Sequence, residues 1–147
     1  MKKLFILILV FSLLLVNPIQ SSAKTLSSKD SSAFMPSVGI QSYQFIKSGY
    51  SSIHNNYDGS ITIEGYTKTY YAVDRIGIIF NLQYFNGSNW VTLKSYPFEA
   101  INSYDITKYL TVTVSPGFSY RVLTEHYAVD NGLTETGTSV TGSITVY

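Results

Sequence analysis

Four dipeptides, Asp58-Gly59, Asn86-Gly87, Pro116-Gly117 and Asn131-Gly132, cut the chain beyond about Val38 into short segments. Asx-Gly and Pro-Gly supply the backbone conformations that tight turns demand, and Asx-Gly between alternating apolar runs is a hairpin signal. Between these turns apolar residues recur at every second position. "ITIEGYT" sets Ile61, Ile63 and Gly65 on one face and Thr62, Glu64 and Tyr66 on the other. "RIGIIFNLQYF" aligns Ile76, Ile78, Phe80, Leu82 and Tyr84, and "YDITKYLTVTV" aligns Ile106, Leu110, Val112 and Val114, with Lys108 interrupting. A period of two is the signature of strands with one buried face. No helical periodicity lasts four turns, and Tyr, Thr, Val, Ile and Phe, all favoured in strands, are abundant. The expected fold is all-β: an antiparallel β-sandwich of seven or eight strands.

The N-terminus reads as a processing segment. "MKK" precedes the apolar run Leu4 to Val16, and Ser21 and Ala23 place small residues at −3 and −1 before Lys24. A charged start, a short apolar core and a small-x-small site define a secretory signal peptide. The apolar run falls short of the roughly 20 residues that span a bilayer. Residues 1–23 are therefore expected to be removed near Ala23-Lys24, residues 24–37 to form a Ser-rich flexible leader, and residues 38–147 to form one domain. Of ten basic residues, Lys2 and Lys3 leave with the signal, so eight remain against nine acids. That balance argues against nucleic acid or an anionic membrane as the partner, since both call for a basic surface. With no Cys, the chain has no disulfides, no thiol nucleophile and no Cys-based zinc site.

One stretch is more specific. "VSPGFSYRV", Val114 to Val122, resembles the corner entering the sixth strand of fibronectin type III and immunoglobulin-like domains. That resemblance implies a sandwich of that type, with Tyr120 bonding back to the corner backbone and Val122 as the next core residue. The chain departs from the pattern in having no Trp in its second strand and no cysteines. More broadly, "GYSSI", "DGSITIEGYT", "VDRIGIIFNLQYFNGSNW", "YRV" and "TETGTSVTGSITV" resemble a group of small secreted proteins of Gram-positive bacteria that carry a domain of unknown function. This likeness implies a cell-envelope or extracellular setting and brings no activity with it.

His and acids gather only in "YRVLTEHYAVDNGLTETG", which holds Glu125, His126, Asp130 and Glu135. A two-residue loop at Asn131-Gly132 would set Ala128 opposite Glu135 and His126 opposite Gly137. Glu125 and His126 then point to opposite faces, while His126 and Glu135 share one as diagonal neighbours. A hydrogen bond between that pair is expected, with Gly137 making room for the ring. The polar pair reads as a seal at one end of the sandwich; a hydrolase or metal-dependent enzyme centred on it is the weaker alternative. No G-x-S-x-G elbow accompanies it, and His54 has no identifiable partner. Asn55, Asn56, Asp58, Asp130 and Asn131 offer oxygen ligands, but without EF-hand spacing they are ordinary turn residues. No catalytic residue, metal or cofactor is expected.

The aromatics point elsewhere. Tyr66 and Tyr109 alternate away from the apolar face of strands that neighbour each other in a fibronectin-like order. With Trp90 and one of Tyr70 or Tyr71 they would form an exposed platform suited to stacking on sugars or meeting a protein. The expected function is a secreted, non-enzymatic binding module for wall or matrix carbohydrate or for a surface protein. The alternative is a structural matrix or coat protein that self-associates through strand edges and Tyr/Thr-rich faces.

Overall fold

The computed structural model describes residues 31–33 and 44–147. The expected signal peptide lies outside the described residues, as does the leader apart from residues 31–33. Seven antiparallel strands occupy 81% of the described residues, which contain no helix and hence none able to cross a membrane. They are β1 (Ser31–Ala33), β2 (Ile46–Asn55), β3 (Ser60–Phe85), β4 (Trp90–Thr113), β5 (Phe118–Asp130), β6 (Leu133–Val140) and β7 (Ile144–Val146). β1 falls within the span expected as leader and pairs with β2.

The two longest strands organise everything else. The segments "ITIEGYT" and "RIGIIFNLQYF" are two halves of one strand, β3, and β4 likewise joins "WVTLKSYPF" to "YDITKYLTVTV". Residues 68–73, "KTYYAV", contain no Gly, Pro or Asx to stop a strand, so the chain bends instead of turning. At the bend the register jumps from Lys68↔Asp105 to Val73↔Ser103, so β3 carries extra residues against β4. Such a bulge bends and twists its strand. The Thr69 hydroxyl ties the bend down, 2.7 Å from the Tyr71 carbonyl and 3.1 Å from that of Tyr104.

The bend gives β3 two sets of neighbours. Its first half pairs with β2 and its second half with β5, while β4 follows it along the other side throughout. The sheet curls so that β2 lies against β5, β6 and β7, and β1 against β6, without pairing. Inside the curl Ile53, Ile61 and Ile63 meet Ile76, Ile78, Phe80, Leu82, Val122, Ala128 and Val146, all buried. Each of the larger side chains among them contributes about 1.5–3 kcal/mol on burial. Ile61, Ile63, Ile76, Ile78, Phe80 and Leu82 are residues the alternation marks as core, Val122 is the one the corner resemblance implies, and Ile53, Ala128 and Val146 join them. Lys108 shares the inner face with Ile106 and Leu110, and its ammonium escapes to lie 5.6 Å from the centre of the Phe98 ring.

The expected corner is present. Gly117 has φ +85°, its N–H donates to the Val146 carbonyl at 2.7 Å, and the buried Tyr120 hydroxyl donates to the Ser115 carbonyl at 2.7 Å. Tyr120→Phe removes that bond and is expected to lower stability by about 1 kcal/mol, read by urea denaturation. No change in the midpoint would show that the corner bond does not hold the loop.

Candidate functional site

The β5–β6 hairpin turns as its sequence implies. Asn131 and Gly132 both have positive φ, +49° and +77°, the signature of a two-residue type I′ loop. The resulting register is Ala128↔Glu135 and His126↔Gly137. Glu125 faces outward, where its carboxylate accepts a hydrogen bond from the Asn81 amide at 2.8 Å. His126 faces inward and is buried completely.

His126 and Glu135 share a face, yet the hydrogen bond expected between them is not made. The imidazole Nδ1 lies 2.8 Å from Thr67 Oγ1, and Nε2 lies 2.9 Å from Ser139 Oγ, itself 2.9 Å from Ser51 Oγ. Thr67 gives its single hydroxyl proton to the Gly77 carbonyl at 3.0 Å, so it accepts from Nδ1–H. Nε2 is then the acceptor, and Ser139 donates to it. Glu135 reaches across to the start of β2, where one carboxylate oxygen accepts from the backbone N–H groups of Phe45 (2.6 Å) and Ile46 (2.9 Å). Room for the ring comes from Gly49 on β2, whose missing Cβ would stand 2.7 Å from the imidazole.

Ser139 and His126 thus stand at the separation of a nucleophile and its base. Ser51, Thr67, His126 and Ser139 are nonetheless all 0% exposed, enclosed within the fold and not set at its surface. Burial also drives the imidazole pKa down from 6.5 to about 4, keeping it neutral. The arrangement clamps β2, β3, β5 and β6 together. Among the described residues no three His, Cys, Asp or Glu side chains gather to hold a metal ion.

The expected aromatic platform is divided. Tyr66 and Tyr109 do project from the same face of the β3–β4 pair, one register step apart. The Tyr66 ring, however, is stacked on Tyr50 across the strand, with centroids 5.5 Å apart, and Lys68 Nζ lies 5.0 Å from its centre. Tyr109 is open to solvent, and Glu64 opposite it raises its phenol pKa. Tyr70 and Tyr71 sit at the bend, Tyr71 edge-on to Phe45. Trp90 opens β4 at the far end of the hairpin, roughly 60 Å along the strand from Tyr66 at ~3.3 Å per residue. There it packs on Phe85 and under the Arg121 guanidinium, 4.4 Å from the ring centre. Trp90 belongs to a different surface.

The open margin of the sheet carries Tyr109 of the expected platform and is the kind of strand edge the self-association alternative invokes; its other exposed residues have no counterpart among the sites expected from sequence. Among the described residues β4 pairs only with β3, from Trp90 to Thr113, with Leu93, Asn102 and Tyr104 skipped at irregularities in the register. Val91, Leu93, Ile101, Tyr104 and Tyr109 are exposed along it. Pro97 lies in an unbroken run of the ladder, paired with Ile79. Proline has no N–H to offer β3, so its nitrogen faces the open side, as do the N–H groups of Glu99 and Ile101. On the outer face Tyr127 covers Gly77, and its hydroxyl donates to Glu99 at 2.7 Å, with Arg75 3.7 Å from the same oxygen. Burial, and then Glu99, push the Tyr127 phenol pKa up to about 12.

No known protein family, curated protein or solved structure matches the chain.

Proposed function

We propose that this is a secreted, non-enzymatic interaction module that associates through the open edge of β4, with a second copy of the chain as its partner. The observation that carries this reading is the 24-residue strand left unpaired on one side among the described residues. An unpaired edge is a template for another strand. The opposite margin of the sheet curls until β1 lies against β6, so β4 is where the sheet stays open. The other long strand, β3, has neighbours on both sides along both of its halves, so β4 of another copy is the matching partner. Two antiparallel copies form a closed, two-fold contact. Lys94 and Lys108 balance Glu99 and Asp105, so the edges do not repel.

Pro97 and the inward Lys108 are devices that blunt an edge against indiscriminate pairing. They favour a limited, registered contact over an open-ended polymer. The signal peptide expected at the N-terminus supports a contact made outside the cell, in the bacterial envelope setting the sequence implies. Of the immunoglobulin-like reading, the Tyr120–Ser115 corner is the supporting feature.

Ile101→Pro tests the proposal, because the lost N–H faces away from β3 and the fold is spared. Sedimentation velocity over a hundredfold range of concentration is expected to show reversible dimers. Ile101→Pro should weaken them at least tenfold with an unchanged melting temperature, since the substitution enters both edges. A wild-type protein that stays monomeric throughout overturns the reading.

A further inference from the structure

At the end of the molecule where the β2–β3 turn meets β7 lies an open groove of about 350 Å³. His54, Asn55 and Tyr57 form one wall and Ser143, Thr145 and Tyr147 the other. Its size falls within the range of small-ligand sites.

Tyr57 is the informative residue. Its φ of +61° belongs to the left-handed region, which a bulky side chain rarely adopts and which Gly or Asn enters with little strain. Packing does not compensate, because the residue is 88% exposed. Neither backbone preference nor burial accounts for an aromatic ring there.

The surroundings hold the backbone of that turn in place. Asn55, mostly buried, accepts from the Tyr57 N–H at 2.8 Å and donates to the Thr145 carbonyl at 3.0 Å, so one amide joins both walls. Asp58 accepts from the Ser60 N–H (2.9 Å) and hydroxyl (2.6 Å), and Asn56 donates to Ser60 Oγ at 2.8 Å. A turn bonded this densely fixes the backbone from which Tyr57 projects, which lowers the backbone entropy lost on binding.

The lining side chains are hydroxyl, amide, imidazole and phenol, with the aliphatic Ile144 between Ser143 and Thr145, and none of them is Lys, Arg, Asp or Glu. Aromatic faces beside uncharged hydrogen-bonding groups suit a sugar, whose C–H face stacks while its hydroxyls exchange hydrogen bonds. We propose that this groove binds a neutral glycan, with one sugar ring stacked on Tyr57 and its hydroxyls bonded to His54 and Ser143. The site is separate from the β4 edge and does not depend on association there.

The test is an amide NMR titration of the protein with cellohexaose, chitohexaose and mannohexaose. At least one is expected to give saturable shifts centred on residues 54–60 and 143–147. Tyr57→Gly, which relieves the strain, should weaken that binding at least tenfold with a melting temperature no lower than wild type. Tyr57→Phe should retain it. The proposal is overturned if none of the three sugars gives saturable shifts, if the shifts centre elsewhere, or if Tyr57→Gly lowers the melting temperature and leaves binding unchanged.

Discussion

Gly49→Ala is expected to destabilise the fold by about 3 kcal/mol, an unusually large effect for one added methyl group. In an ordinary strand the sign would be opposite, since Gly is less favourable than Ala by roughly 0.5–1 kcal/mol. Here the new Cβ would stand 2.7 Å from Cγ and 2.8 Å from Cδ2 and Nδ1 of His126. The ring cannot swing aside without breaking its bonds to Thr67 and Ser139. Nor is the backbone free to retreat, because Gly49 is paired with Thr67 and the start of β2 is held by Glu135. Overpacking of about 1–3 kcal/mol therefore adds to about 1 kcal/mol for each hydrogen bond strained. Urea denaturation measures the loss, and a double-mutant cycle with His126→Ala shows its source. If the clash is with the ring, Gly49→Ala should be far milder when His126 is already Ala. A destabilisation below about 0.5 kcal/mol, or equal effects in both backgrounds, would mean the glycine is not there for the imidazole.

Features encoded within a few residues are legible in the sequence itself. Asn131-Gly132 implies its loop type, and the loop type carries the register that places Ala128 opposite Glu135. The period of two in "ITIEGYT" and "RIGIIFNLQYF" identifies Ile61, Ile63, Ile76, Ile78, Phe80 and Leu82 as core. What spans the chain is not legible. A lapse in alternation at residues 68–73 looks the same whether a strand ends or bends, so β3 reads as two strands. The hairpin offers His126 two diagonal polar neighbours, Glu135 and Ser139, and alternation does not choose between them, whereas Thr67 comes from 59 positions away. Its room comes from Gly49, on a strand that does not pair with β5. Nothing in "NNYDGS" announces that Tyr57, and not only Gly59, takes a positive φ. Nor can an alternating pattern show that β4 has no second neighbour among the described residues, because a strand's edge depends on where every other strand goes.

The buried imidazole also sets how the protein answers acid. In the folded state its pKa lies at about 4, against 6.5 for an unhindered His, and desolvation of the charged form is the cause. Between those two values the unfolded chain binds a proton that the folded chain refuses. Stability therefore rises with pH in that window. Contributions from His126 are fully present above about pH 6.5, decline as pH falls toward 4, and level off below it. A gap of about 2.5 units at 1.36 kcal/mol each amounts to roughly 3 kcal/mol. The proton has no easy place to go: Nδ1 already donates to Thr67, and protonating Nε2 would set N–H against the hydroxyl proton of Ser139, reversing that bond and the one to Ser51. Urea denaturation at pH 7, 6, 5 and 4 is expected to show this loss. The imidazole resonances of His126 should stay at their neutral positions down to about pH 5. A His126 that titrates near 6.5, or a stability that is flat across the window, would mean that water reaches the ring, and the clamp between β2, β3, β5 and β6 would then be an open, solvated site.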